Sequence, residues 1–100
     1  MREYELYVPL CYNDGRVVES EKLTHLKKRL VDQFGGLTHF PQESEGLWKI
    51  GAHTFRDKIV ILRVIADHDQ QDYFSELKAE VEREWAQEDF LIITREVSTL

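Results

Sequence analysis

The sequence predicts an α+β fold in which a four-stranded antiparallel sheet carries two helices on one face. Apolar residues alternate in some segments, as in half-buried strands, and recur every three or four positions in two others, as in helices. The order is strand, helix, strand, strand, helix, strand. Two split units of this kind with right-handed crossovers give the ferredoxin-like arrangement, with strand order 4-1-3-2. The length predicts a single domain over residues 1–100.

The first strand and first helix have clear signals. In YELYVPL, residues 4–10, every second side chain is apolar, and Pro9 favours the end of a strand. Apolar residues then recur at helical spacing over residues 21–34. Ser20 is a suitable N-cap, and Gly35 stands where a left-handed residue commonly ends a helix.

The middle of the chain predicts two strands around a polar segment. Residues 37–40 form a short strand, and residues 47–50 continue it or return beside it. The segment PQESEG, residues 41–46, is expected to be a mobile tip that Trp48 anchors at its base. The segment RDKIVILRVIA, residues 56–66, is rich in β-branched residues and is the clearest strand.

The second helix and the last strand complete the pattern. Asp69 and Asp72 resemble a capping box in which Asp replaces the usual Glu. The helix is expected to run to about Gln87, and DFLIITREV, residues 89–97, is the last strand. Its apolar stripe should lie in the core and consists of Phe74, Leu77, Val81 and Trp85.

The third strand is apolar on both of its faces. Its even-numbered residues are suited to pack on the helices, yet Ile59, Ile61 and Ile65 alternate with them and would face solvent. Such a patch is larger than a monomer normally exposes. We therefore expect a homo-oligomer through the open sheet face, a dimer in the first instance with a trimer as the alternative. The other interpretation is a monomer in which Arg and Lys stems cover the patch.

Composition excludes several classes of function. The net charge is -6, and nine of the acidic residues lie within residues 67–89, so no basic patch suits nucleic acid. The third strand also lacks the stacking aromatics of RNA-recognition domains. No apolar run can span a bilayer, and the N-terminus lacks the features of a signal peptide. With Cys11 alone there is no disulfide framework, and we expect a cytoplasmic protein.

The histidines offer weak evidence for a catalytic or metal site. His39 and His53 flank the polar segment, which contains Glu43 and Glu45, and two His with a carboxylate could bind a metal. Their spacing matches no recognised ligand pattern, so no metal is predicted. Neither a Gly-rich phosphate loop nor a Gly-x-Ser-x-Gly elbow is present, and no cofactor is predicted.

Arg63 is the most informative polar residue because it interrupts the apolar face of a central strand. A charge there must be paired or solvated. One interpretation is an ion pair with Glu5, across the strands or across an interface; the other is an anion-binding residue. In the second case the ligand site is bounded by His39, Trp48, His53 and Arg63. The alternative for Trp48 is that it only holds the hairpin together.

The sequences GGLT and GLW, followed by an aliphatic strand, resemble a group of small bacterial domains of unknown function with a Gly-x-Thr…Gly-x-Trp pattern. This likeness covers residues 35–65. In its order of elements the chain more distantly resembles PII-type signalling proteins and CutA. That resemblance implies oligomerisation and a ligand role for residues 41–56, although the phosphate-binding basic residues of PII-type proteins have no clear equivalents.

Two classes of function remain open from the sequence. The first is a non-catalytic oligomeric module that binds a small-molecule ligand or regulates another protein. The second is a small enzyme of the dimeric α/β-barrel kind, in which His39 or His53 acts as general base. A buried His with apolar walls would favour the enzyme, and a flexible hairpin would favour the binding module.

Overall fold

The computed structural model describes residues 1–100 and has the predicted topology. Its strand order is β2-β3-β1-β4, and all neighbouring strands are antiparallel. Neither helix combines the length and apolar character needed to cross a membrane. The elements are β1 (Arg2–Pro9), α1 (Ser20–Phe34), β2 (Thr38–Ile50), β3 (His53–Ala66), α2 (Gln71–Glu84) and β4 (Ile92–Glu96).

The hydrophobic core lies between both helices and one face of the sheet, here called the inner face. The even-numbered residues of β1 from Tyr4 to Val8 and of β3 from Val60 to Ala66 point into it, and Leu6, Leu62 and Val64 are fully buried. They pack with helix residues such as Leu30 and Leu77 in one cluster. The predicted stripe of α2 belongs to the same cluster, including Trp85, which is 5% exposed. The opposite face of the sheet is called the open face.

The two helix starts differ from the sequence expectations. Ser20 is the first residue of α1 rather than its N-cap, and the N-cap Glu19 makes no side-chain capping bond. At α2 the capping box is absent, since the N-cap is Gln70. Asp69 instead accepts from the backbone N–H of Gln71 at 2.9 Å, and the buried hydroxyl of Tyr4 accepts from the N–H of Gln70 at 2.6 Å.

The polar segment 41–46 is not a mobile tip, and this expectation was wrong. It belongs to β2, where residues 41–43 bulge opposite Val60, between the pairs Phe40–Ile61 and Ser44–Ile59. The true tip is the two-residue turn Gly51–Ala52, in which Gly51 has φ +60°. The segment is polar because β2 lies at the edge of the sheet, where a strand is largely solvated.

The first helix ends at a left-handed glycine, as predicted, and the second helix ends earlier than expected. Gly35 has φ +83° and donates its N–H to Val31 O at 2.8 Å, as predicted. The second helix ends at Glu84, and the non-glycine Ala86 has φ +50°. The N–H of Gln87 then reaches back to Glu82 O at 2.9 Å, in the manner of a Schellman motif. This turn brings the following loop to the rim of the open face.

Candidate functional site

The open face of the sheet has a charged network at one end and a cleft at the other. Alternation along each strand places the odd-numbered residues of β1 and β3 on this face. Ile59 and Ile61 are half-buried there, and Ile65 is 42% exposed. The strand β3 therefore presents apolar side chains on both faces, as the sequence predicted.

Arg63 belongs to the charged network. Its guanidinium contacts Glu3 and lies 3.5 Å from Glu5 Oε2, while Nη1 of Arg95 lies 2.8 Å from Glu3 Oε2. Both glutamates are buried, at 6% and 8% exposure. The predicted ion pair with Glu5 is therefore present within the sheet. Because both arginines are matched by buried carboxylates, Arg63 is not a free cation for an anionic ligand.

Tyr7 connects this network to the cleft. Its hydroxyl donates to Glu5 Oε1 at 2.8 Å, and this bond is the main cause that lowers the pKa of Glu5. Burial opposes that shift, while Arg63 and Arg95 reinforce it. The same bond raises the pKa of Tyr7, so its ring remains a neutral phenol. The ring also lines the cleft.

The cleft has a volume of about 330 Å³, near the lower end of the usual range for ligand sites. Its floor is formed by the end of the open face, and its walls by the β2–β3 hairpin and the loop between α2 and β4. The side chains that dominate it are those of Tyr7, Pro9, Trp48, Asp57, Ile59 and Leu91. Its lining combines apolar side chains with a few polar groups.

Trp48 is held in place from two directions. Its indole Nε1 donates to Oδ2 of Asp57 at 2.7 Å. The ring of Phe55, directly opposite in the hairpin register, stacks on the indole at 4.7 Å between centroids. Phe55 does not line the cleft, whereas Trp48 and Asp57 do. The indole is thus oriented before any ligand arrives, which lowers the entropic cost of binding.

The two histidines predicted for the site lie elsewhere. His39 pairs with Leu62 in register and so belongs to the inner face, where Nδ1 lies 3.5 Å from Lys27 Nζ. Burial, with a smaller effect from Lys27, lowers the pKa of His39. His53 is exposed beside the hairpin turn. The structure therefore does not bring His39, Trp48, His53 and Arg63 together, and of these four only Trp48 lines the cleft.

Metal ligands do not converge anywhere in residues 1–100. No group of three or more His, Cys, Asp or Glu side chains could hold a metal ion. The half-buried Cys11 lies at an isolated bridge with Val17, at the end of β1. Nothing in this arrangement suggests nucleophilic chemistry at the thiol.

Sequence reasoning missed Asp57 and the loop residue Glu88. Asp57 shares the odd parity of Ile59, so alternation along β3 could have placed it on the open face. Its contact with Trp48 depends on the hairpin register, which follows from the Gly51–Ala52 turn. Glu88 could not have been found, because its position depends on where α2 ends.

Comparisons with known proteins give a fold relative. No family model matches the chain, and no curated protein matches its sequence. Among solved structures, it is similar to a phage SAM lyase in complex with S-methyl-5′-thioadenosine. The TM-score is 0.67 at 13% identity, over 95% of this chain and 80% of that one. The apo state of a phage SAM lyase gives a TM-score of 0.65, also at 13% identity, over 94% and 78%. At this identity the likeness shows a shared fold.

Proposed function

We propose that this protein is a non-catalytic, homo-oligomeric module that binds a small molecule in the cleft beside Trp48. The observation that carries the proposal is the cleft itself: an apolar hollow on the open face whose indole wall is oriented by Asp57 and Phe55. Aromatic and aliphatic walls with few oriented polar groups are typical of small-molecule sites.

The fold relative suggests which ligands to try first. A protein of the same fold has S-methyl-5′-thioadenosine bound and is a SAM lyase. A flat purine is suited to stack on an indole, and the apolar residues Pro9, Ile59 and Leu91 suit the methyl group of a thioether. S-methyl-5′-thioadenosine and S-adenosylmethionine (SAM) are therefore the first candidates for this cleft.

Oligomerisation is proposed from the open face. Half-buried Ile59 and Ile61 continue into the exposed Ile65. The charged network beside them is internally neutral, with two glutamates opposite two arginines, so a second copy could cover it without burying an unpaired charge. A dimer, or a trimer as the alternative, would remove this surface from water.

The alternative of an enzyme with a histidine base has less support. A general base must lie within hydrogen-bonding reach of the substrate proton. His39 belongs to the inner face and His53 lies at the hairpin tip, so neither borders the cleft. We therefore favour a binding function over a catalytic one.

A thermal-shift screen tests the proposal. The panel contains SAM, S-methyl-5′-thioadenosine, nucleotides, small anions and divalent metal ions, measured on the wild type, Trp48→Phe and Arg63→Gln. We expect at least one adenosine sulfur compound to raise the melting temperature in the wild type and Arg63→Gln but not in Trp48→Phe. If no compound loses its effect in Trp48→Phe, the tryptophan only holds the hairpin and the proposal is wrong.

A further inference from the structure

The charge of the cleft limits what it can bind. Its walls contain three carboxylates, Asp57, Glu88 and Asp89, and no Lys, Arg or His. Asp89 is paired with Lys78, whose Nζ lies 2.5 Å from Oδ1. Asp57 and Glu88 have no basic partner within ion-pair distance. Two carboxylates therefore remain uncompensated at the cleft.

The aromatic walls add to this preference. The faces of Trp48 and Tyr7 are electron-rich, and cations placed over such rings are attracted by the ring quadrupole. Trp48 gives its only N–H to Asp57, and Tyr7 gives its O–H to Glu5. Both aromatic residues thus use their donors within the protein and offer none of them to an anionic ligand.

We infer that the cleft selects an organic cation, one that carries a sulfonium or quaternary ammonium charge beside a flat or apolar group, and that Asp57 and Glu88 provide the charge selection. The inference rests on the proposed function and names its ligand class. Phosphate-bearing ligands are disfavoured, because their negative charge would meet two carboxylates without a counter-charge. In the sequence, Arg63 suggested a site for an anion, whereas the charge of the cleft favours a cation.

Two ligands of nearly the same shape but different charge can show how much the charge contributes to binding. SAM and S-adenosylhomocysteine share the adenosine and the amino-acid group, and they differ by one methyl group and the positive charge of the sulfonium. Calorimetric titration of both into the wild type gives an affinity ratio. In Asp57→Asn the side-chain oxygen can still accept from Trp48, so the substitution removes the charge while the indole remains oriented.

Single and double variants then show which residues cause the preference for the cation. We expect the wild type to bind SAM more tightly than S-adenosylhomocysteine. The ratio of the two affinities should fall about tenfold in Asp57→Asn, as for a partly solvated charge pair, and further in the double variant Asp57→Asn/Glu88→Gln. Asp72→Asn changes the net charge equally but lies exposed on α2, outside the cleft, so it should leave the ratio unchanged.

The outcomes distinguish the two proposals. The charge selection would be overturned if both probes bound the wild type equally, lost affinity in Trp48→Phe, and kept the same affinity ratio in Asp57→Asn. The proposed ligand site in the cleft would then remain intact. An equal fall of the ratio in Asp72→Asn would also overturn it, because the effect would come from overall charge. If neither probe binds in a Trp48-dependent way, both the charge selection and the proposed ligand class are wrong.

Discussion

The indole Nε1 of Trp48 donates a hydrogen bond to Oδ2 of Asp57 at 2.7 Å, diagonally across the hairpin of β2 and β3. This bond fixes the aromatic wall of the cleft and engages one of its carboxylates. The donor is neutral and the acceptor is charged, so the bond is stronger than an ordinary one between neutral groups.

The Trp48–Asp57 bond should be measurable as a coupling between the two residues. We expect Trp48→Phe to lower the free energy of unfolding by about 1–2 kcal/mol in urea titrations, because the bond is partly buried. In an Asp57→Ala background the same substitution should cost clearly less, since its partner is gone. Additive effects of the two substitutions would show that the bond contributes nothing to stability.

The open face should control the oligomeric state. Light scattering of the wild type should report at least twice the 11.9 kDa of one chain. Ile61→Glu should give monomers or aggregates, because an unpaired charge in a dry interface costs several kcal/mol. Thr24→Glu adds the same charge on the exposed side of α1 and should leave the mass unchanged. A wild-type protein that stays monomeric at micromolar concentration would refute this prediction.

The network at Glu5 predicts how stability responds to acid. The folded-state pKa of Glu5 lies below the ordinary value of about 4.3. Its contribution to stability is therefore present above that value and is lost as the pH falls through the lower, folded-state pKa. Tyr7→Phe removes the main cause of the shift, so the acid-unfolding midpoint should move to higher pH.

A matched substitution controls the acid experiment. Tyr73→Phe also removes one hydroxyl, but Tyr73 packs against Phe34 and Phe74 on the helix side of the sheet, away from the network at Glu5. The acid-unfolding midpoint of Tyr73→Phe, measured by circular dichroism, should equal that of the wild type. Equal shifts in Tyr7→Phe and Tyr73→Phe would mean that the hydroxyl of Tyr7 does not hold the Glu5 carboxylate in its charged form.

Ala86 should be replaceable with a gain in stability. A non-glycine residue in the left-handed region costs roughly 1–2 kcal/mol, and glycine avoids most of that cost. Ala86→Gly should therefore raise the free energy of unfolding by about 1 kcal/mol. Ala79→Gly, at an exposed position inside α2, should lower it by about as much. Destabilisation by both substitutions would contradict the observed end of α2.

The sequence predicted the topology because each core element repeats a clear period. Alternation in β3 identified the inner-face residues Leu62 and Val64, and the stripe of α2 identified Trp85. The edge strand β2 was missed in part because a solvated strand with a bulge has the composition of a loop. Local propensity does not distinguish a solvated edge strand from a loop, and only the pairing with β3 identifies this segment as a strand.

The site was harder to predict than the fold. Trp48 was identified because a lone large aromatic in a polar segment needs a role. His39 was assigned to the wrong surface, although its neighbour Phe40 occupies the open face and alternation then places His39 on the inner face. The position of Asp57 beside Trp48 in the cleft depends on contacts between strands, which no single segment of sequence contains.

The most direct test of a ligand in the cleft uses the two tryptophans of the chain. Each indole N–H gives its own signal in a ¹H–¹⁵N correlation spectrum, and Trp48→Phe assigns them. On titration with SAM, and separately with S-methyl-5′-thioadenosine, we expect a saturable shift of the Trp48 signal. The signal of Trp85, buried in the core, should stay in place. An unmoved Trp48 signal with both compounds, or equal movement of both signals, would contradict a ligand site beside Trp48.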